Sequence, residues 1–299
     1  MKKIITHPGQ AHRDEFMACS LLIAAGKCDR IERRDATEED LNDPEVIVLD
    51  QGGRHEPDTR MNFDHHQLPR DAAPTCSITL ILPYLGIGPW QARQIWGWLE
   101  FSELLDSKGP FATAEKLGSN PDALFAGVSP IETTVLRWFA EETMICDPSK
   151  TIVGWDSDCA PLYALMHRIG KEKLDYLSDV VERLDYLREN AKVVEVQSLL
   201  FLDARCVERT NQPALGLEMF AEELADIPAG RIIAGTITQD DRGDGLSLFR
   251  RNDHPGVDFS RLEGRDGVVF AHKGGFIAKL EAGTAVVPML EGALEKVSI

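Results

Sequence analysis

The sequence predicts an α/β protein: a parallel-sheet N-terminal domain with a helical middle, followed by a smaller α/β C-terminal domain. Three observations predict it. Short β-rich runs alternate with helical patterns through the first 66 residues, which is how βαβ units and a parallel sheet read. Residues 77–203 carry helical spacing almost throughout. Beyond about residue 205, strand patterns return, separated by turns rich in glycine and aspartate.

The elements follow in order. Residues 2–6 (Lys-Lys-Ile-Ile-Thr) form a short strand, and a polar loop from His7 to Asp14 follows it. Glu15 to Ala25 is a helix pattern that Gly26 stops. Arg30–Arg34 reads as a second strand. Glu45–Leu49 is a buried strand running into the turn Asp50-Gln51-Gly52-Gly53. Gln91–Leu105, Ile131–Thr143, Leu162–Arg168 and Glu172–Leu202 continue the helical middle, where Trp90, Trp96, Trp98 and Trp138 serve as packing residues. Arg231–Thr238 and Leu246–Arg250 are strands around a strong turn signal, Gly267–Ala271 is another, and Thr284–Val297 is a closing helix containing Pro288. These patterns divide the chain into domains at residues 1–204 and 205–299.

Composition narrows the function. At 299 residues and 43% hydrophobic, the chain is long enough for about two globular domains. No run approaches ~18 apolar residues, so no membrane span is expected. Lys2 and Lys3 open the chain, but His7, Arg13, Asp14 and Glu15 interrupt any signal-peptide core, and a cytoplasmic protein is expected. With 49 acidic against 32 basic residues, the net charge is −17. That balance argues against gripping long duplex nucleic acid, which needs a basic stripe. It leaves room for a small phosphorylated substrate if bound divalent cations reverse the local sign. The six cysteines (19, 28, 76, 146, 159, 206) form no Cys-x-x-Cys pair, so a thiolate zinc site is not indicated.

Five of the eight histidines fall in the first 66 residues, four of them beside carboxylates in two blocks. One is His7-Pro-Gly-Gln-Ala-His12-Arg-Asp14-Glu15; the other is Phe63-Asp64-His65-His66. Taken singly, His12 with Asp14 reads as a surface pair and Asp64 as a turn cap. Jointly, they sit at the ends of successive strands, where open parallel sheets bind ligands. His12, Asp14, Asp50, Asp64 and a further carboxylate could not stay ionised together unaided, because like charges raise one another's pKa. Divalent cations remove that penalty. Mixed oxygen and imidazole donors suit Mn²⁺ better than Ca²⁺, with Mg²⁺, Co²⁺ and Zn²⁺ also compatible. Two such metal ions with Asp50 between them would form a clamp for phosphoryl hydrolysis.

These blocks resemble the DHH phosphoesterase superfamily, and within it the melanocyte-proliferating-gene exonuclease group. The resemblance covers residues 4–67, through Arg33-Arg34-Asp35 and Val48-Leu49-Asp50-Gln-Gly52-Gly53, and returns at Phe270–Ile277. It implies His7, His12, Asp14, Asp50 and His65 as metal ligands, with His12 where much of the wider superfamily has Asp. It implies that His66 faces the substrate and that Asp64 orients the histidine pair. An acidic ligand from the later helical segment matches Asp106, with Glu103 one turn earlier. Gly109 stands one residue later than the family spacing, and Asp156 and Asp158 are the rivals.

In that superfamily a second domain closes over the first and supplies substrate contacts, which match Ser247-Leu-Phe-Arg250-Arg251-Asn252 and His272-Lys-Gly274-Gly275 here. Arginines can hold phosphate oxygens bidentately, and paired glycines let backbone N–H groups approach a phosphate. The superfamily's Gly-Gly-Gly-His loop is altered here, with the histidine placed before the glycines, which bears on substrate identity more than on reaction type; an ordinary hairpin turn is the alternative for Gly274-Gly275. The implied activity is two-metal, 3′–5′ exonuclease-like hydrolysis of phosphodiester bonds in short RNA, an oligonucleotide or a nucleotide. The alternatives are a pyrophosphatase or phosphomonoester hydrolase on the same cage, or a non-catalytic, metal-dependent nucleotide-binding protein. A homo-oligomer is compatible with all of these.

Overall fold

A computed structural model describes residues 2–126, 130–145, 152–154, 160–226 and 231–294. It divides into two units, Met1–Leu177 and Ser178–Ile299.

The first unit runs β1 (Lys2–Thr6), α1 (Arg13–Ala24), β2 (Cys28–Arg33), α2 (Glu38–Asn42), β3 (Val46–Leu49), β4 (His55–Glu56) and β5 (Asn62–Phe63). Then come α3 (Ser77–Ile81), α4 (Pro89–Ile95), α5 (Leu99–Lys116), α6 (Pro121–Ala126), α7 (Pro130–Ile145), β6 (Ile152–Val153) and α8 (Ala160–Asn190), inside which the division between units falls. Its sheet has the order β4-β5-β3-β1-β2-β6. The centre is parallel: Ile4 of β1 pairs with Ile31 on one side and Ile47 on the other, and Val48 pairs with Asn62. Both edges, β4 and β6, are antiparallel, so the sheet is mixed rather than wholly parallel.

The sequence explains the layering. Ile4, Ile5, Ile31, Ile47, Val48 and Leu49 are fully buried, the run of apolar residues expected of strands covered on both faces. One face carries Leu41 of α2 packed on Ile5, Val46 and Val48. Helix α1 is buried along nearly its whole length, because α3, α5 and α7 cover it in turn. Trp96 is buried and stacks on Trp98 at 5.7 Å, as the packing role requires, whereas Trp90 is 72% exposed and packs little. The helix expected over Gln91–Leu105 is broken at Trp96–Trp98 into α4 and α5. Helix α5 is interrupted again at Gly109, whose φ of +78° followed by Pro110 ends the first segment just beyond Asp106.

The second unit holds β7 (Lys192–Val196), β8 (Leu199–Asp203), α9 (Leu217–Glu223), β9 (Ile233–Gln239), β10 (Leu246–Arg250), β11 (Val268–Ala271), β12 (Ile277–Leu280) and α10 (Val286–Ala293). Its sheet has the order β11-β12-β10-β9-β8-β7 and is antiparallel except where β8 and β9 run parallel. Phe201, Ile237, Leu248, Phe259, Leu262 and Leu290 form its core. The division therefore lies earlier than the expected boundary at residue 204. Residues 192–203 are a hairpin, not the end of a helix. Its turn is made by Gln197 (φ +49°) and Ser198 (φ +77°), a left-handed pair without the glycine that would mark it in sequence.

Four of the six cysteines lie among the described residues and are free thiols, with Cys19, Cys28 and Cys76 buried and Cys206 half-buried. Among the described residues, no helix is long and apolar enough to cross a membrane.

Helix α2 is tied to the end of β2 by one carboxylate. Asp40 accepts from Arg34 Nη1 (2.7 Å) and Nη2 (2.9 Å), and from the Thr37 backbone N–H (2.8 Å) and hydroxyl (2.7 Å). The Arg34 bonds first, and the Thr37 bonds after them, outweigh burial and hold Asp40 well below the usual carboxylate range. A carboxylate whose pKa is lowered on folding adds stability above its unfolded pKa of ~3.9, and that stability is lost as pH falls through the folded value. Asp40→Asn is therefore expected to cost about 1–3 kcal/mol at neutral pH. The gap from the unaltered chain should narrow as pH drops below about 4 in thermal unfolding. A gap that stays constant down to pH 2 would remove the charge from this account.

Candidate metal centre

β1, β3 and β5 end at the same edge of the first sheet, and each hands its next residue to a common site: His7 after Thr6, Asp50 after Leu49, Asp64 after Phe63. Because β1 lies between β2 and β3, the chain winds away from it in both directions. That is the switch point where open α/β sheets bind ligands. The N-terminus of α1 delivers His12, Asp14 and Glu15 to this edge, with the positive end of the helix dipole favouring the two carboxylates. The last turn before the Gly109 break delivers Asp106.

Asp50 is the centre of the arrangement. Ligand-type atoms of His7, His12 and Asp50 lie within 4.8 Å of one another. The same holds for Asp50, His65 and His66, and for Asp14, Asp50, His65 and Asp106. Asp50 is common to all three groups. His65 Nε2 stands 3.1 Å from Asp50 Oδ1 and 2.7 Å from Asp106 Oδ2, and His7 Nε2 is 3.4 Å from Asp50 Oδ2. The Asp50 backbone is left-handed (φ +56°), a conformation that Asp tolerates better than most residues, and its N–H donates to Phe63 O at 3.1 Å. Two residues on, Gly52 (φ +94°) leaves room for the other layer: a Cβ there would stand 2.5 Å from Leu41 Cδ2.

Burial and the crowding of like charges set the electrostatics of the cluster. Burial first, then the charges of Asp50, Asp106 and Glu15, push the Asp14 carboxyl well above its ordinary value. Burial opposes ionisation of Asp50 too, but hydrogen bonds from His65 and His7 bring it below the ordinary range. Burial would lower the imidazoles, yet their carboxylate partners prevail: His7 is raised to about 9 and His65 to about 10. His7 Nε2 and Asp106 Oδ2 are buried without a well-angled hydrogen bond, although each lies within ion-pair distance of an opposite charge. Oxygen and imidazole donors with spare lone pairs, converging without a thiolate, fit divalent cations of the Mn²⁺ or Mg²⁺ type.

Asp64 does not join the three groups. It is buried, accepting from the Gly53 N–H (2.5 Å), the His66 N–H (3.1 Å) and His66 Nδ1 (2.7 Å). It fixes the ring of His66, whose side chain is 60% exposed and stacked on His65 at 4.4 Å. Glu103 faces away, bound by Arg93 (2.7–3.1 Å) and by the Thr79 hydroxyl. Asp156 and Asp158 lie outside the described residues.

In the second unit, Arg250, His272, Gly274 and Gly275 gather at the β11–β12 hairpin. Arg250 Nη2 donates to Gly274 O at 3.3 Å. The paired glycines make a turn rather than an open cradle. The Gly275 N–H donates to His272 O (2.8 Å), and the Gly274 N–H to His272 Nδ1 (2.9 Å). Arg251 departs from the expected phosphate-binding role. Its side chain, just beyond the end of β10, is buried and bound to Glu218 at 2.6 Å, with Glu222 at 3.6 Å.

Sequence reasoning missed the supports. Glu15 is fully buried and bonds Thr6 Oγ1 (2.7 Å), Arg33 Nη2 (2.8 Å) and the His12 N–H (3.1 Å), with His7 Nε2 at 3.2 Å. Arg33 adds contacts to Gly9 O (3.1 Å) and to the Phe139 ring at 4.8 Å. Its place at the end of β2, beside the end of β1, was the available signal.

Residues 3–77 match the model of MYG1_exonuc, described as an uncharacterised protein family (UPF0160), which bears out the resemblance carried by the N-terminal blocks. No curated protein matches the chain. Among solved structures, the pGpG-specific phosphodiesterase PggH of Vibrio cholerae is 14% identical, over 94% of this chain and 93% of its own, at a TM-score of 0.28. RecJ of Thermus thermophilus, in complex with Mg²⁺, is 14% identical over 97% of this chain and 48% of its own, at 0.28. CDC45 of Entamoeba histolytica is 10% identical over 97% and 94%, at 0.31. Likeness at this level leaves the site to be read from its own geometry.

That geometry makes Glu15 a structural hub. Glu15→Gln keeps the shape but removes the carboxylate from a buried ion pair, at an expected cost of about 3–5 kcal/mol in urea unfolding with chelator present. Adding Arg33→Met should recover part of the loss, since an apolar pair can replace a buried ionic one. Strictly additive losses in the double variant would show that the two residues are not coupled.

Proposed function

We propose that this chain is a metal-dependent phosphoesterase that hydrolyses phosphodiester bonds in short RNA, oligonucleotides or nucleotides, using two divalent ions, with Mn²⁺ the favoured metal. The observation that carries the reading is the sharing of Asp50 by three ligand groups at the carboxyl edge of the parallel strands. His7, His12 and Asp50 would hold one ion; Asp14, Asp50, His65 and Asp106 would hold the other. Bound there, divalent cations supply Lewis-acid polarisation of a phosphoryl group and make water acidic enough to yield hydroxide near neutral pH.

The remaining roles belong to side chains. Asp64 on Nδ1 keeps a proton there and orients the His66 ring, leaving Nε2 to donate to a phosphoryl or leaving-group oxygen when the imidazole is charged. Asp50 is held by backbone and imidazole bonds before any substrate arrives, so little reorganisation is needed at the reacting centre. In the second unit, Arg250, which pairs with the exposed Asp253 at 2.7 Å, is the candidate for contacting an anionic substrate group, with His272 of the same hairpin region; Arg251 is committed to α9. The net charge of −17 favours short substrates over long polyanions. The neighbourhood of the cluster is half apolar, which favours an ester with an organic substituent over pyrophosphate.

Two measurements test the reading. Mn²⁺ at 100 times its Kd should add about 2.7 kcal/mol to stability by linkage. Products should appear from short RNAs in a panel that includes DNA and pyrophosphate. Asp50→Asn is expected to lose both the metal-dependent stabilisation and hydrolysis while folding normally. Wild-type turnover by that variant would overturn the bridging role. Nucleotide binding without product release would favour the non-catalytic alternative, and release of phosphate from pyrophosphate alone would favour the pyrophosphatase.

A further inference from the structure

A cavity of about 500 Å³ opens directly beside the cluster, within the first unit, and His12, Asp14 and Asp106 form part of its wall. Its volume falls in the range of small-molecule sites. The remaining wall is of another character. Phe101 and Leu105 come from α5, Leu124 from α6 and Leu136 from α7. A side chain standing in both the metal cluster and the cavity means that a group esterified to a phosphate at the cluster reaches this wall without leaving the unit.

We propose that this cavity receives the nucleobase adjoining the scissile phosphate, with Phe101 as its stacking face. The inference rests on the phosphoesterase reading above and extends it to the substrate's base. A phosphate or pyrophosphate group gains nothing from an aliphatic wall and loses solvation there. A sugar needs hydroxyl partners that this wall does not offer. A planar heterocycle has apolar faces to bury, and a stacked base contributes about 1–3 kcal/mol.

Two of the polar groups of the cavity, Arg13 and Glu132, are bound to each other. Arg13 binds Glu132 through Nε at 2.5 Å and Nη2 at 2.9 Å, and its guanidinium covers one face of the Phe101 ring at 4.9 Å, so a base would meet the other face. The Ser102 hydroxyl donates to Trp98 O at 3.3 Å. Gln10 lines the cavity from an exposed position. The wall therefore offers a face to a base but few free donors or acceptors to read its edge. Purine and pyrimidine substrates should bind within about tenfold of each other, as stacking platforms allow.

The test uses the full chain with Mn²⁺ and two substrates: an adenine dinucleotide, and the same dinucleotide with an abasic ribose next to the cleaved bond. The ratio of their kcat/KM values is measured for the unaltered chain, for Leu136→Trp, which fills the cavity, and for Phe101→Ala, which removes the face. Adenosine 5′-monophosphate binding by calorimetry provides a readout without turnover, and circular dichroism checks folding. The expected result is a preference for the base-bearing substrate that falls at least tenfold in both variants, with a parallel loss of nucleotide affinity. Equal hydrolysis of the two substrates by the unaltered chain, or variants that keep both ratio and affinity, would overturn the cavity assignment and leave the phosphoesterase reading intact. If the unaltered chain cleaves neither substrate, that reading fails instead. The cavity is then judged by calorimetry alone, supported if Leu136→Trp weakens nucleotide binding and overturned if it does not.

Discussion

Crowding of carboxylates at one sheet edge is the constraint on which the rest of the first unit depends. Asp14, Glu15 and Asp50 are buried there, and Asp106 stands against His65. Buried charges of one sign do not persist unless something opposite is held among them. Arg33 answers Glu15, and the imidazoles of His7 and His65 answer Asp50 and Asp106. Strand order follows from the same need, because only a sheet whose adjacent parallel strands end together brings residues 7, 50 and 64 to one place. Divalent cations would replace positive charge that the cage already draws from imidazole protons, so cation binding is coupled to proton release.

The backbone around Asp50 shows how the site is kept in shape. A left-handed Asp at the end of β3 costs conformational energy and persists only where its surroundings over-determine it. Here they do. Its N–H is bound to β5, Gly52 clears Leu41, and Gln51 joins the Ala36 N–H (2.9 Å) to the Arg34 carbonyl (3.0 Å). Asp64 closes the far side of the turn through Gly53. The ligand-type groups thus stand at the ends of rigid elements rather than on a free loop, the placement that preorganises a metal site.

The sequence was legible where chemistry and position coincided. Histidines beside carboxylates at the ends of β-rich runs marked His7, His12, Asp14, Asp50, His65 and His66, the resemblance added Asp106, and these residues fall into three groups that share Asp50. The central strands were legible because covered parallel strands are apolar on both faces. What was not legible depended on distance. Glu15 and Arg33 become partners only when β1 and β2 pair, and nothing in their own spacing announces it. The hairpin at residues 192–203 was hidden because its turn uses Gln and Ser where glycine usually stands. Arg250 and Arg251 look equivalent in sequence, but Arg251 follows the last residue of β10 and is bound by Glu218 of α9.

The acidity of the chain gains a meaning when set beside the cluster. At a net charge of −17, phosphorylated molecules are repelled by the surface as a whole. A half-apolar cavity next to the carboxylates does nothing to offset that repulsion for a phosphate. On the proposed reading, cations must therefore be in place before a phosphodiester can bind productively, and the apolar wall supplies affinity only for what the phosphate carries. Recognition would then divide between a metal-dependent part, indifferent to the base, and a stacking part, indifferent to the metal. Each part fails with long polyanions, because only one phosphate meets the cations while every other one meets the acidic surface.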